Sequence, residues 1–355
     1  MRIVQILPVL AFGDAIGNHT LALADALTRY GYHNCIYADT LDSRVSGKNI
    51  FEYKDYEQQA GDMVLYHMST NSELNRRLCQ YPGTKLMVYH NITPAHFFHG
   101  FHEQAEKGCM EAREDLAYMA GKMDGCVSDS YYNQRELEEL GYECPMTNIP
   151  ILIPFHDYEK EPDEDIIRQY GEDGYTNILF VGRVVPNKKQ EDIIEAFYYY
   201  QKYYNAKSRL IMVGSFAGIN RYVESLELYV DRIGVENVIF TGQISFAKIL
   251  AFYRVADIFL CMSEHEGFCV PLVEAMFFKI PIIAYQSTAI GDIMGEGGIL
   301  LEEKNPLETA GMIHYVVTHP QLCEKIRTNQ AECLERFDHD KVEKAYIEFI
   351  RQFIG

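Results

Sequence analysis

Two carboxylates, Glu266 and Glu274, are separated by seven residues in the segment Ser263-Glu-His-Glu-Gly-Phe-Cys-Val-Pro-Leu-Val-Glu-Ala-Met276. Pro271 suits the start of a helix, where a missing N–H is not needed. The segment therefore reads as a strand over Ile258–Met262, a tight turn, and a helix from about Val270, with Glu274 in its first turn and Glu266 just ahead. Free amides at a helix N-terminus attract phosphate, and a carboxylate beside them accepts hydrogen bonds from adjacent sugar hydroxyls. The chemistry implied is the holding of a sugar joined to a phosphate. Either glutamate alone has a structural explanation, because an acid near a helix start gains about 0.3–1 kcal/mol from the dipole. Together with Ser263, Gly267, Phe268, Pro271 and Ala275 the pattern points to a site.

A second group supplies positive charge. Arg183 follows the strand candidate at 177–182, and Lys188 comes five residues later at the entry to a helix, so both cations belong to that strand's carboxyl end. Breaking a sugar–diphosphate bond leaves negative charge on the departing nucleotide, and Arg, Lys and helix amides can balance it without a metal. Near the amino terminus, Phe12-Gly-Asp-Ala-Ile-Gly-Asn-His-Thr20 joins the first strand to a helix over Leu21–Tyr30. Gly13 and Gly17 permit close backbone approach there, but the spacing is not that of a dinucleotide fingerprint. His90 ends the strand Lys85–Tyr89 and His67 ends the preceding one; a neutral imidazole at either place can orient a sugar hydroxyl or the acceptor. His96, His99 and His102 recur every three residues, as along one side of a helix, without a partner spaced to complete a zinc site. Asp163-Glu164-Asp165 spells the Asp-x-Asp of metal-dependent transferases but reads as a helix start, where acids are favoured. No metal and no cofactor are expected.

On these residues the chain resembles the retaining glycosyltransferases of family 4, and its Gly-Asp-Ala-Ile-Gly-Asn and Tyr-His-Asn-Ile-Thr-Pro segments resemble those of bacterial enzymes that assemble surface polysaccharides. The likeness is strongest over Asn177–Leu301. It implies that Arg183 and Lys188 bind the diphosphate, Glu274 the ribose, and Glu266 the transferred sugar, with His90 beside that sugar. It further implies donor contacts at Gly17 and Asn18, at Gln243 and Ile244 for the base, and along Gly267, Phe268, Cys269 and Val270. Relatives usually carry Gly where this chain has Cys269, and Gly is also more usual at the position of Lys189.

The elements that must hold these groups form two passes of one α/β architecture. Strand candidates at 2–10, 33–39, 63–68, 85–90 and 125–130 alternate with helices at 18–30, 71–79, 101–122 and 131–140; strands at 177–182, 209–213, 238–242, 258–262, 281–285 and 298–301 alternate with helices at 189–205, 219–233, 245–255 and 270–279. Apolar strands separated by amphipathic helices imply parallel sheets covered on both faces. Residues 145–175, with four prolines and the run Asp157–Asp165, read as a linker. The last helix, Asp340–Phe353, keeps Val342, Tyr346, Phe349 and Phe353 on one face and needs an apolar surface. The resembled GT-B fold implies two doubly wound Rossmann-like domains facing across a cleft: residues 1–155 on the acceptor side, with the helix 338–355 packed back on it, and 156–337 binding the donor.

With 355 residues, two cores are expected. Thirty-two basic against 51 acidic residues, net −19, argue against nucleic acid and against a broad polybasic membrane patch. Nine cysteines without a Cys-x-x-Cys pair read as free thiols of a reducing cytosol. Met1–Phe12 reads as a buried strand and not a signal peptide, since Pro8 interrupts the apolar run and no small-residue cleavage site follows. The expected activity is metal-independent, retaining transfer of a hexose from a nucleotide diphosphate sugar to a carbohydrate or lipid-linked hydroxyl acceptor, in the cytoplasm or at the inner face of the membrane. The alternatives are a phosphorylase of the same fold, a glycoside hydrolase using the two carboxylates as acid and nucleophile, and a non-catalytic subunit that binds a nucleotide sugar.

Overall fold

The structure, a computed structural model, describes residues 1–216 and 218–354. It divides into two compact units: unit 1 comprises Met1–His96, Gln104–Phe155 and Arg336–Gly355, and unit 2 comprises Phe97–Glu103 and His156–Glu335.

Unit 1 runs β1 (Arg2–Leu10), α1 (Ala15–Arg29), β2 (His33–Leu41), β3 (Ile50–Glu52), β4 (Asp62–Met68), α2 (Leu74–Leu78), β5 (Lys85–Tyr89), α3 (Glu103–Met119), β6 (Gly125–Ser128), α4 (Tyr131–Glu139) and β7 (Met146–Asn148). Its parallel sheet has the order β3-β2-β1-β4-β5-β6-β7. Unit 2 runs α5 (Glu164–Gly171), β8 (Thr176–Val181), α6 (Gln190–Tyr203), β9 (Ser208–Val213), α7 (Asn220–Ile233), β10 (Val238–Phe240), α8 (Phe246–Val255), β11 (Ile258–Cys261), α9 (Val270–Phe277), β12 (Ile282–Tyr285), α10 (Ile290–Met294), β13 (Ile299–Leu301), α11 (Pro306–Thr318) and α12 (Pro320–Leu334). Its parallel sheet has the order β10-β9-β8-β11-β12-β13. Each order reverses once, between β1 and β4 and between β8 and β11. In open α/β sheets a ligand crevice lies outside the carboxyl ends of the strands at such a reversal.

The chain returns to unit 1 in α13 (His339–Arg351). Asp338 caps this helix by accepting from the Lys341 amide. Val342, Tyr346, Ile347, Phe349 and Ile350 are buried together with Ile3, Leu65, Val88 and Val127 of the sheet. At about 1.5–3 kcal/mol per buried large apolar side chain, this face far outweighs the cap in holding α13 down.

Three expectations change. The edge strands β3 and β7 of the unit 1 sheet have no counterpart among the strand candidates. The stretch 145–175 is not simply a linker, since it contains β7 and α5. Helix α1 begins at Ala15, six residues before Leu21, because the Asp14 carboxylate accepts from the amides of Ile16 and Gly17. Among the described residues no helix is long and apolar enough to cross a membrane.

Candidate active site

In unit 2 the chemistry gathers where β8, β11 and β12 end side by side. Gly182 and Gly214 let the ends of β8 and β9 meet: a Cβ on Gly214 would lie 1.9 Å from the Gly182 carbonyl oxygen. The Gly182 amide donates to the Val213 carbonyl at 2.9 Å, so the ladder extends to the residue before Arg183. Arg183 is exposed, and among the described residues its guanidinium has no acidic partner. The chain then makes a 3₁₀ turn over Pro186–Lys188, and Lys189, in the left-handed region (φ 54°), directs it into α6.

The loop after β11 is tied to both neighbours. Buried Asn187 donates from its side-chain amide to the His265 carbonyl at 2.9 Å, and its own carbonyl accepts from the Glu264 amide at 2.9 Å. On the other side the Ser287 hydroxyl donates to the Ser263 carbonyl at 2.6 Å. The Thr288 hydroxyl accepts from the Glu266 amide at 2.8 Å and donates to the Glu266 carbonyl at 2.9 Å. Glu266 is thereby fixed in position, with its side chain 7% exposed, in an ion pair with Lys188. Burial alone would lower the Lys188 ammonium, but Glu266 and the nearby thiols of Cys269 and Cys261 outweigh it and hold its pKa above the usual value. Lys188 is therefore charged.

Glu274 lies in the second turn of α9, not the first as expected, because the helix counts from Val270. Its two oxygens accept from the Tyr158 hydroxyl (2.8 Å) and the Tyr253 hydroxyl (2.5 Å). Burial pushes the Glu274 carboxyl up, and the two phenols oppose that shift by stabilising the ionised form. A carboxylate has about four acceptor positions, so two remain after the tyrosines are served. Cys269, ahead of α9, has φ 76°. That left-handed backbone accounts for the glycine usual in the resembled family. Its side chain is turned inward, with Sγ within 4.8 Å of Cys261 and Glu266 donor atoms. Lys188, Glu266 and Cys269 thus form one cluster. Val270 and Gly267 are partly buried, Phe268 is buried, Gln243 is exposed and Ile244 is partly buried in the loop between β10 and α8. Lys189 faces Glu191 and Glu264, in a group of acids also held by Lys304.

Unit 1 departs further from expectation. Gly17 lies inside α1, where a Cβ would meet the Ala11 carbonyl oxygen at 2.6 Å, so this glycine serves close helix–strand packing. Its amide and that of Ile16 already face the Asp14 carboxylate, which supplies negative charge where a phosphate was expected; Asn18 is exposed beside it. His90 is not a free imidazole. Its side chain is 1% exposed, with Nδ1 2.7 Å from Asp129 Oδ2 and Nε2 2.9 Å from His67 Nδ1. Both ring nitrogens are taken, so His90 does not orient a sugar hydroxyl through a hydrogen bond in this arrangement. His96 falls in a 3₁₀ turn over Ala95–Phe98 and His99 and His102 follow it, all ahead of α3 and not on one helix. Asp163 is the N-cap of α5, accepting from the Ile166 amide at 3.1 Å.

Two groups of candidate metal ligands occur among the described residues, each with donor atoms within 4.8 Å: His19, His67 and His90, and Cys261, Glu266 and Cys269. In the first, His19 Nδ1 accepts from the Leu152 amide at 3.0 Å, which places the proton of a neutral ring on Nε2 and leaves no lone pair there for a metal. In the second, Lys188 already holds the Glu266 carboxylate. Neither group fits a resident ion.

Residues 162–332 match the family described as glycosyl transferases group 1, which places that family's domain on most of unit 2. An uncharacterised glycosyltransferase of Methanocaldococcus jannaschii is 26% identical over 270 residues, covering 74% of this chain and 70% of its own. A GDP-mannose-dependent alpha-mannosyltransferase of Mycolicibacterium smegmatis is 29% identical over 146 residues, 39% of this chain; the chain spans only 34% of that relative's length. Among solved structures, HepE of Anabaena in complex with UDP-glucose superposes with a TM-score of 0.74 at 19% identity, over 99% of this chain and 100% of its own. The chain has the GT-B fold, and its second unit resembles the glycosyl transferases group 1.

Proposed function

We propose that the protein transfers a hexose from a nucleotide diphosphate sugar to a hydroxyl acceptor with retention of anomeric configuration, in the assembly of a bacterial polysaccharide or glycoconjugate. The acceptor is a carbohydrate or a lipid-linked carbohydrate. The observation that carries the reading is the Lys188–Glu266 pair at the reversal of the unit 2 sheet, held by loops pinned from both sides, with exposed Arg183 five residues before Lys188. A cation this well fixed costs no reorganisation when charge develops on a departing diphosphate. Arg183 and Lys188 meet that charge together with the amides at the start of α9. Glu266 accepts from hydroxyls of the transferred sugar, and Glu274 uses its two remaining acceptor positions for the ribose. Gln243 and Ile244 border the base.

Among the described residues no carboxylate outside these binding roles is placed as a nucleophile, so attack comes from the face the diphosphate leaves, and a phosphate oxygen takes the acceptor's proton. Metal independence is supported by the tautomer of His19 and by the prior engagement of Glu266. That one relative is described as GDP-mannose-dependent, and a fold neighbour was solved with UDP-glucose, supports a nucleotide sugar donor and leaves the base to experiment. Thermal-shift screening against UDP, GDP, ADP and dTDP in the presence of EDTA tests this. A ligand at 100 times its dissociation constant adds about 2.7 kcal/mol. One diphosphate raising Tm without metal supports the reading; no shift with any of the four, at millimolar concentration, refutes it.

A further inference from the structure

Successive residues of a strand point to opposite faces of its sheet. In β6, Val127 belongs to the core under α13, so its neighbour Cys126 points the other way, into the core on the far face of the unit 1 sheet. Cys144, just ahead of β7, is partly buried against that same core. Strand pairing brings the two together. Cys126 is in register with Met146, and its amide donates to the Pro145 carbonyl at 3.0 Å, so the chain entering β7 runs beside it. The two sulfurs are 3.6 Å apart. A disulfide bond is about 2.0 Å long, which leaves about 1.6 Å of approach to be supplied by rotation about the two Cα–Cβ bonds.

The thiols differ in the way a reactive pair requires. Cys126 keeps its hydrogen, because its bond to Cys144 and its burial both raise its pKa well above the usual value. Cys144 is held below the usual thiol value, chiefly by accepting that bond, against partial burial and the nearby Asp124. Reaction with an oxidant needs thiolate character, access, and a second sulfur to resolve the product. Cys144 is partly open to solvent and Cys126 is fully buried beside it. Cys261 and Cys269 also lie close together, but both are buried. We propose that Cys126 and Cys144 are a modification site for a hydroperoxide, closing reversibly to a disulfide that staples β6 to the chain entering β7.

The Cys144 thiolate attacks the outer oxygen of the hydroperoxide and the O–O bond breaks. With hydrogen peroxide the leaving hydroxide takes up the proton that Cys144 had released, giving water and a sulfenic acid on Cys144. The Cys126 sulfur then attacks the Cys144 sulfur, the S–O bond breaks, and hydroxide leaves as water with the hydrogen of Cys126. Two thiols are thereby oxidised by two electrons, and one peroxide is reduced to two waters. The bridge ties the ends of an 18-residue span that contains α4. Such a closure restricts the unfolded chain, so the oxidised form is the more stable one. No part of this chemistry depends on the transfer reaction.

The test treats the folded, full-length protein, reduced and then freed of reductant, with hydrogen peroxide before denaturation and alkylation. It is expected to lose two of its nine thiols, which dithiothreitol restores. A non-reducing peptide map is expected to join Cys126 to Cys144, and Tm of the linked form to rise by roughly 5 °C. The variant Cys126→Ser is expected to stop at the sulfenic acid of Cys144, which a 1,3-diketone traps. Survival of all nine thiols, a link between Cys261 and Cys269 instead, or further oxidation of Cys144 with Cys126 untouched overturns the proposal. A lower Tm in the linked form overturns the staple. If Cys126→Ser does not fold, the wild-type map still decides which sulfurs join.

Discussion

Replacing Lys188 by Met separates what this lysine does for the fold from what it does for the reaction. The Glu266 side chain is 7% exposed and that of Lys188 20%. Removing one partner of a buried pair costs about 3–5 kcal/mol, because the other is left buried and uncompensated. The partial exposure of Lys188 places the expected loss at the lower end, about 3 kcal/mol, visible as a reduced denaturant midpoint at unchanged m. Replacing Glu266 by Gln in the same chain removes the orphaned charge, and Lys188→Met with Glu266→Gln is expected to recover most of the lost stability. Activity behaves differently. Loss of one charge-stabilising group lowers turnover by about 10²–10³, and the double variant stays at or below the single one, since Glu266 is itself assigned to the sugar. Urea unfolding and transfer assays on the wild type, both single variants and the double variant form a complete cycle. If the double variant regains turnover along with stability, the pair is structural and the catalytic assignment of Lys188 fails. Because the Lys188 pKa is held above 10.5, the ammonium's part of this stabilisation is fully present at neutral pH and is lost as pH rises through the folded-state value.

Tyr253→Phe is expected to cost about 1–3 kcal/mol at neutral pH by taking a hydroxyl from a buried carboxylate, with Tyr158→Phe costing less across its longer bond. The Glu274 carboxyl is already raised above 4.5, and a lost phenol raises it further, so the folded state binds its proton more tightly than the unfolded state. Stability of the Tyr253 variant relative to wild type therefore falls as pH rises from about 4.5 through the folded-state value; a penalty that grows on acidification would contradict this. Gly214→Ala forces a methyl to 1.9 Å from the Gly182 carbonyl oxygen and must displace the strand end that carries Arg183. Destabilisation of about 2 kcal/mol or more, with weakened nucleotide binding, is the expected outcome of calorimetry on that variant. Wild-type stability there would show that the two strand ends yield easily.

Much of the site is legible in the sequence because its signals are local. Arg183, Lys188, Glu266 and Glu274 announce themselves by their distance from a strand end or a helix start, and the apolar strands of both sheets are long enough to show their alternation with helices. What escapes notice depends on contacts far apart in the chain. Tyr158 lies in a stretch that reads as a linker, 116 residues from the carboxylate it serves. Tyr253 looks like an ordinary apolar position of α8. Asn187, Ser287 and Thr288 pin the Glu266 loop through single hydrogen bonds that no periodicity encodes. Asp129 sits within Ser128-Asp-Ser130, where Ser130 caps α4, and so resembles a helix start; only the sheet order brings it beside His90. The signal that was available is the polar residue two positions beyond Ile3, Leu65, Val88 and Val127. Gly17 misleads for the opposite reason: a glycine beside a helix start permits a phosphate to approach closely, whereas Asp14 starts the helix early and takes the amides itself.

The most direct test of the central claim is a crystal structure of the protein with the nucleoside diphosphate that gives the largest thermal shift. The phosphates are expected within hydrogen-bond reach of Arg183, Lys188 and the first amides of α9, with the ribose hydroxyls on Glu274. A nucleotide bound away from the ends of β8 and β11, or at that edge with Arg183 and Lys188 both clear of its phosphates, contradicts the account.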